Sequence, residues 1–123
     1  MLLDEIARSV VHCSYLVHKE LGPGLLEKIY EACLCYGLQR AGHKVERQVS
    51  VPIVYGDLKF SEGYRIDVLV QDCIICEIKA VEKYNSVWDA QLLSYMKLMD
   101  CHLGFLINFN VPVIKNGIKR MIR

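Results

Sequence analysis

With 123 residues, 53% hydrophobic and 24% charged, the chain has the profile of one folded domain spanning 1–123, and a disordered segment or a second domain is excluded. Fifteen basic residues against fourteen acidic ones leave a net charge of +1, which excludes a histone-like polycation and an acidic solvating tail but not a local basic face. No apolar run approaches the ~18 residues of a membrane span. After Met1, Asp4 and Glu5 stand where a leader peptide would be basic, so the expected location is cytoplasmic.

In chain order, Ile6, Val10, Cys13 and Val17 form one stripe of a 3.6-residue period and predict a helix over 3–20. Gly22-Pro23-Gly24 breaks it, and Leu26, Ile29, Cys33 and Leu34 line a second helix over 25–40, with Gly42 as its stop. The period then becomes two. Val45, Arg47, Val49, Val51, Ile53 and Tyr55 share one face, Glu46, Gln48 and Ser50 the other, and Pro52 marks an edge or a bulge. Gly56-Asp57 signals a turn, after which a strand resumes at Leu58 and breaks near Gly63. Strands over 64–70 and 74–79 follow, joined through Gln71-Asp72-Cys73. Ser86 with Asp89 has the form of a capping box opening a helix to about Met99, with Leu92, Tyr95, Met96 and Met99 inward. The apolar run 103–109 reads as a buried strand, and Asn116-Gly117 as the turn of a closing hairpin between Val113-Ile114 and Ile118. The order ααβββαβ plus a small C-terminal β-hairpin gives an α/β fold of the α+β type, a mixed sheet of about four strands flanked by helices.

Six cysteines, Cys13, Cys33, Cys35, Cys73, Cys76 and Cys101, sit in apolar periodic segments and read as reduced core thiols. Cys73 and Cys76 have CxxC form, but on a strand i and i+3 point to opposite faces, against a redox or zinc role. His12, His18, His43 and His102 show no metal-ligand spacing.

Charges interrupt two otherwise apolar strands at Asp67, Glu77 and Lys79, where they are costly unless paired or bound to a metal. Glu77 and Lys79 are two apart and share a face. A loop of odd length centred on Asp72 places Asp67 opposite Glu77, whereas a strict two-residue turn would send them to opposite faces. Two close carboxylates raise one another's pKa, and a hard cation such as Mg²⁺, which takes one or two carboxylates with waters and phosphate oxygens, removes the conflict. Lys79 would then stabilise charge developing at a phosphate. A structural ion pair on an exposed sheet face is the alternative.

These residues resemble a known family. Asp67…Glu77-Ile78-Lys79 is similar to the D…(D/E)xK signature of the PD-(D/E)XK nuclease superfamily, Gln91-Leu92-Leu93-Ser94-Tyr95 to the QxxxY motif of its RecB-like branch, and Gly24-Leu25-Leu26-Glu27-Lys28-Ile29-Tyr30 to the motif of the GxxExxY proteins. His18 to Gly24, Asn108-Phe109-Asn110 and Gly117-Ile118-Lys119-Arg120 extend the resemblance over nearly the whole chain. It implies a restriction-endonuclease-like core and hydrolysis of phosphodiester bonds in DNA or structured nucleic acid with Mg²⁺ or Mn²⁺. It also implies Asp67, Glu77, the Ile78 carbonyl and Glu27 as metal ligands, with Lys79 assisting the attacking water. Substrate contacts would come from Gln91, Tyr95, Tyr30 and the basic pair Lys119 and Arg120. Trp88 departs from the family pattern, standing where many members have a histidine, and its indole could stack on a base. The competing expectation is a catalytically idle nuclease fold that binds nucleic acid or a protein partner. Val49, Val51 and Ile53 on an edge strand suggest a homodimer.

Overall fold

Two helices open the chain, α1 (Leu3–Leu21) and α2 (Glu27–Arg40), in a computed structural model that describes residues 2–61 and 63–123. Met1, the first residue of the leader reading above, lies outside the described residues. Helix α1 buries Ile6, Val10 and Cys13 as its periodicity requires, and carries Asp4 and Glu5 in its first turn and His18 and Lys19 in its last, each favouring the helix dipole. It ends at Gly22, whose φ of 68° lets the N–H turn back to the His18 carbonyl.

The strands are β1 (Val45–Ser50), β2 (Ile53–Tyr55), β3 (Leu58–Phe60), β4 (Arg65–Val70), β5 (Ile74–Lys79), β6 (Leu103–Asn108) and β7 (Ile118–Ile122). Five of them form one sheet in the order β1-β4-β5-β6-β7. All pairs are antiparallel except β5–β6, which is parallel and connected through helix α3 (Val87–Leu98). Helices α1 and α2 cover one face over Val68, Val70, Cys76, Ile78, Phe105 and Ile107. Helix α3 covers the other over Ile66, Ile75 and Leu106 with Leu92, Tyr95 and Met96. This is the mixed α+β sheet flanked by helices that the element order implies, with β7 as a fifth strand.

Four local expectations are overturned. Helix α2 buries Tyr30, Leu34, Cys35 and Leu38, while Leu26 and Ile29 of the expected apolar side are exposed and Cys33 is half-buried, because the face that meets the sheet is set by Tyr30, Leu34 and Leu38. The alternating run 45–55 is not one strand. Pro52, which cannot donate to a ladder, divides it, and β2 and β3 pair only with each other around Gly56-Asp57 as a separate two-stranded sheet. Ser86 does not cap α3 with its side chain; Asn85 Oδ1 accepts from the Val87 N–H at 3.0 Å instead. Asn116-Gly117 forms no hairpin. Residues Ile114–Gly117 make a 3₁₀ turn that delivers β7 to the edge beside β6. Gly117 is required there for closeness and not for turn geometry, because a Cβ would overlap the Asn108 carbonyl oxygen. Gly117→Ala is therefore expected to cost about 1–3 kcal/mol in urea unfolding, as backbone has to move to admit the methyl group.

All six thiols are free; Cys13, Cys35, Cys76 and Cys101 are buried, and burial pushes Cys35 up to about 11. Cys76 lies inside β5 and Cys73 in the preceding loop, so the CxxC spacing forms no reactive pair with a lowered pKa. No helix among the described residues is long and apolar enough to cross a membrane.

Candidate active site

The loop 71–73 sets the geometry of the two acids. Gln71 and Asp72 both adopt left-handed backbone, with φ of 51° and 56°, and the Cys73 N–H closes on the Val70 carbonyl. Three loop residues fix the register Val70↔Ile74, Leu69↔Ile75 and Val68↔Cys76, and one more step puts Asp67 opposite Glu77. This is the odd-length alternative and not the two-residue turn. At that step the carboxylates take over from the ladder. Asp67 Oδ2 accepts from the Ile78 N–H at 2.8 Å, and Glu77 Oε2 accepts from the Asp67 N–H at 2.8 Å. Each acid is thus held by the other's strand.

The neighbouring strand is distorted at the same level. Gln48 of β1 has a φ of 52° and interrupts the pairing with β4 opposite Asp67, although the register is the same on both sides. Val68 and Val70 point to the α1/α2 core while Ile66 points to the α3 core, so the alternation of β4 reverses at Asp67. Freed in this way, Gln48 Nε2 donates to Glu31 Oε1 at 2.8 Å and to Asp67 Oδ1 at 3.3 Å. Glu31, a buried acid of α2, is also gripped by Arg47, with Nη2 at 2.9 Å and Nε at 3.0 Å from Oε2. The network Arg47–Glu31–Gln48–Asp67 was not anticipated. Its one sequence signal is the i, i+4 spacing of Glu27 and Glu31, which puts both acids on one helix face.

Glu77 is only 4% exposed. Burial pushes its pKa up to about 8, and the Asp67 charge adds to the rise, against the Asp67 N–H bond and the Lys79 ammonium. Burial thus disfavours the ionised form of Glu77, and a cation beside it would favour that form again. Lys79 lies two residues on, with its ammonium 4.9 Å from the centre of the Trp88 ring. Glu27, in the first turn of α2, has its pKa raised by burial; the Lys79 ammonium opposes this and the Asp67 charge adds to it, which places it at the margin of the same group.

The remaining sequence-derived residues divide. Tyr95 of α3 is buried beside the acids; burial first and the Glu77 charge second push its phenol up to about 12, and its ring meets Tyr64 edge-on at 6.5 Å. Gln91 is half-buried one turn earlier on the same helix. Lys119 faces the α3 side, bonded to Asp89 and, at 3.3 Å, to the Tyr84 hydroxyl. Arg120, next along β7, faces α1 instead and approaches Asp4 at 3.9 Å, so alternation keeps it from acting with Lys119 at one site. Tyr30 is not a substrate contact. It is fully buried and stacked on Phe109 at 4.5 Å, and its hydroxyl donates to the Gly22 carbonyl and accepts from the Leu25 N–H. The tyrosine of the GxxExxY motif thus fastens the turn that delivers Glu27 to the start of α2. Tyr30→Phe is expected to cost about 1–3 kcal/mol in thermal or urea unfolding, because two backbone groups lose their partner.

Among the described residues, no three or more His, Cys, Asp and Glu side chains are grouped to hold a metal ion. Glu27, exposed in the first turn of α2, feels the Asp67 and Lys79 charges from there. Two hard carboxylates, one of them a buried group that needs a positive partner to ionise, still match the one or two that Mg²⁺ takes from protein. The family model described as the PD-(D/E)XK nuclease superfamily matches this chain over residues 4–121. No curated protein and no solved structure matches it.

Proposed function

The chain belongs to the PD-(D/E)XK nuclease superfamily, and from that premise we propose that it hydrolyses phosphodiester bonds of nucleic acid, DNA first, with the GxxExxY proteins as its branch. The observation that carries this reading is the crossed pair of hydrogen bonds between β4 and β5, from the Asp67 N–H to the Glu77 carboxyl and from the Ile78 N–H to the Asp67 carboxylate, which holds the two acids where the β4–β5 ladder ends. Asp67, Glu77 and the Ile78 carbonyl would hold a Mg²⁺ or Mn²⁺ ion. When bound, the ion supplies Lewis-acid polarisation of the scissile phosphate and a more acidic water.

The chain's own groups account for the rest. The backbone N–H bonds fix the two carboxylates before any ligand arrives, so little reorganisation accompanies binding. Lys79, on the same face of β5 as Glu77, places a positive charge where a phosphate oxygen gains negative charge. Gln48 and the Glu31–Arg47 pair hold the orientation of Asp67 from behind. Glu27 and Tyr95 bound the site on either side, and Gln91 is the polar group of α3 offered to the substrate backbone.

The test is cleavage of a panel of single-stranded, duplex and branched DNA and of RNA. Cleavage of at least one member is expected with Mg²⁺ or Mn²⁺ and none in EDTA. If no member is cut, the idle, nucleic-acid-binding alternative replaces this reading.

A further inference from the structure

Beside the candidate centre, on the α3 face of the sheet, lies a cleft of about 290 Å³ lined by Lys79, Tyr84, Trp88, Leu106 and Lys119, with Glu82 at its rim. Its position follows from the register. Glu77 pairs with Leu106 across β5–β6, and Leu106 pairs with Lys119 across β6–β7, so the three side chains stand in one row. Two strand spacings, roughly 10 Å, separate Lys119 from Glu77. The walls alternate cations and rings. The Lys79 ammonium sits 4.9 Å from the Trp88 ring centre, that of Lys119 5.4 Å from the Tyr84 ring centre, and the two rings meet edge-on at 5.6 Å.

We propose that this cleft binds one unstacked nucleotide of a single strand whose neighbouring phosphate lies at Asp67 and Glu77. The inference rests on the reading of those acids as the cleavage centre. Three features support it. An exposed aromatic ring beside lysines forms a stacking platform for unpaired bases, and Tyr84 is 49% exposed in front of the half-buried Trp88. The volume is just below the roughly 300–1,000 Å³ of small-molecule pockets, which suits one nucleotide and not a base pair. Asp89 and Glu82 offset much of the lysine charge, so ring stacking outweighs bulk attraction to a duplex backbone. The substrate class is therefore single-stranded or frayed nucleic acid.

Trp88 is the chain's single tryptophan, so its emission reports this cleft alone. The full-length protein in EDTA is titrated with oligothymidylate, oligouridylate and a blunt DNA duplex, with anisotropy of labelled strands followed in parallel. Saturable quenching by a single strand is expected, with little quenching by the duplex, and Tyr84→Ala is expected to weaken single-strand binding about tenfold. The DNA and RNA arms tell which sugar is preferred. Absence of binding by either single strand, binding without quenching, equal quenching by the duplex, or unchanged affinity in both Tyr84→Ala and Lys119→Ala overturns the proposal. Adding Mg²⁺ separates the two readings: quenching without cleavage leaves the cleft and removes the nuclease, and cleavage without quenching does the reverse.

Discussion

Glu77→Ala and Lys79→Ala are each expected to lower divalent-dependent cleavage by about 10²–10⁴-fold, measured as single-turnover rates on whichever substrate the wild-type chain cuts. The two losses have different causes. Glu77 is the only acid of the pair that is almost fully buried, and its removal also frees the Asp67 N–H it accepts from. The loss should therefore be accompanied by weaker metal binding, visible as a higher Mg²⁺ concentration at half-maximal rate. Lys79 touches no acid within ion-pair distance among the described residues and packs on Trp88, so Lys79→Ala should leave metal dependence nearly unchanged and lower the rate itself. Rates within a few-fold of wild type in both variants would refute the assignment of the centre.

The second expected result is an inverted pH dependence of stability in the metal-free protein. Glu77 has a pKa of about 8 in the folded chain against an ordinary 4.5, so the folded state holds a proton that the unfolded state has released anywhere between those values. Below about 4.5 both states are protonated and the group contributes nothing. As pH rises from there to 8, it destabilises the fold progressively, and above 8 the cost is complete, on the order of a few kcal/mol. Glu77→Gln, which keeps an acceptor for the Asp67 N–H, should match wild type near pH 4 and exceed it in urea unfolding at pH 8.5. Mg²⁺ should narrow that gap by stabilising wild type alone, since an ion that binds only the folded chain adds to its stability. A variant no more stable than wild type at pH 8.5 would mean that Glu77 is not desolvated as the structure has it.

The parts of the site legible in the sequence are those governed by local periodicity. Glu77 and Lys79 share a face because a strand repeats every two residues, and Asp67 meets Glu77 because a loop of three residues preserves the pairing parity. Helices α1 and α3 bury most of the residues their stripes indicate for the same reason, with Val17 and Met99 half-buried at the stripes' ends. Reading by alternation failed at Gln48, placed opposite to Arg47 in side-chain direction although both reach Glu31. A left-handed φ at one residue reverses a strand's faces, and glutamine carries no local signal for that conformation. Tyr30 and Gly117 failed in another way. Both belong to recognisable motifs, but the role of each depends on a group outside its own motif that packing brings against it, the Phe109 ring for one and the Asn108 carbonyl for the other.

The sequence by itself therefore determined the two opening helices, the later helix with its buried strand, and the shared face of Glu77 and Lys79, since these follow from short-range repeat lengths, and it narrowed the Asp67–Glu77 pairing to a question of loop parity. Only the tertiary structure decided that Glu31, Arg47 and Gln48 brace the acids, that Tyr30 belongs to the core, that Lys119 and Arg120 serve opposite faces, and that Trp88 and Tyr84 wall a cleft beside Lys79. Each of these depends on how segments pack against one another, which local repeat lengths do not set.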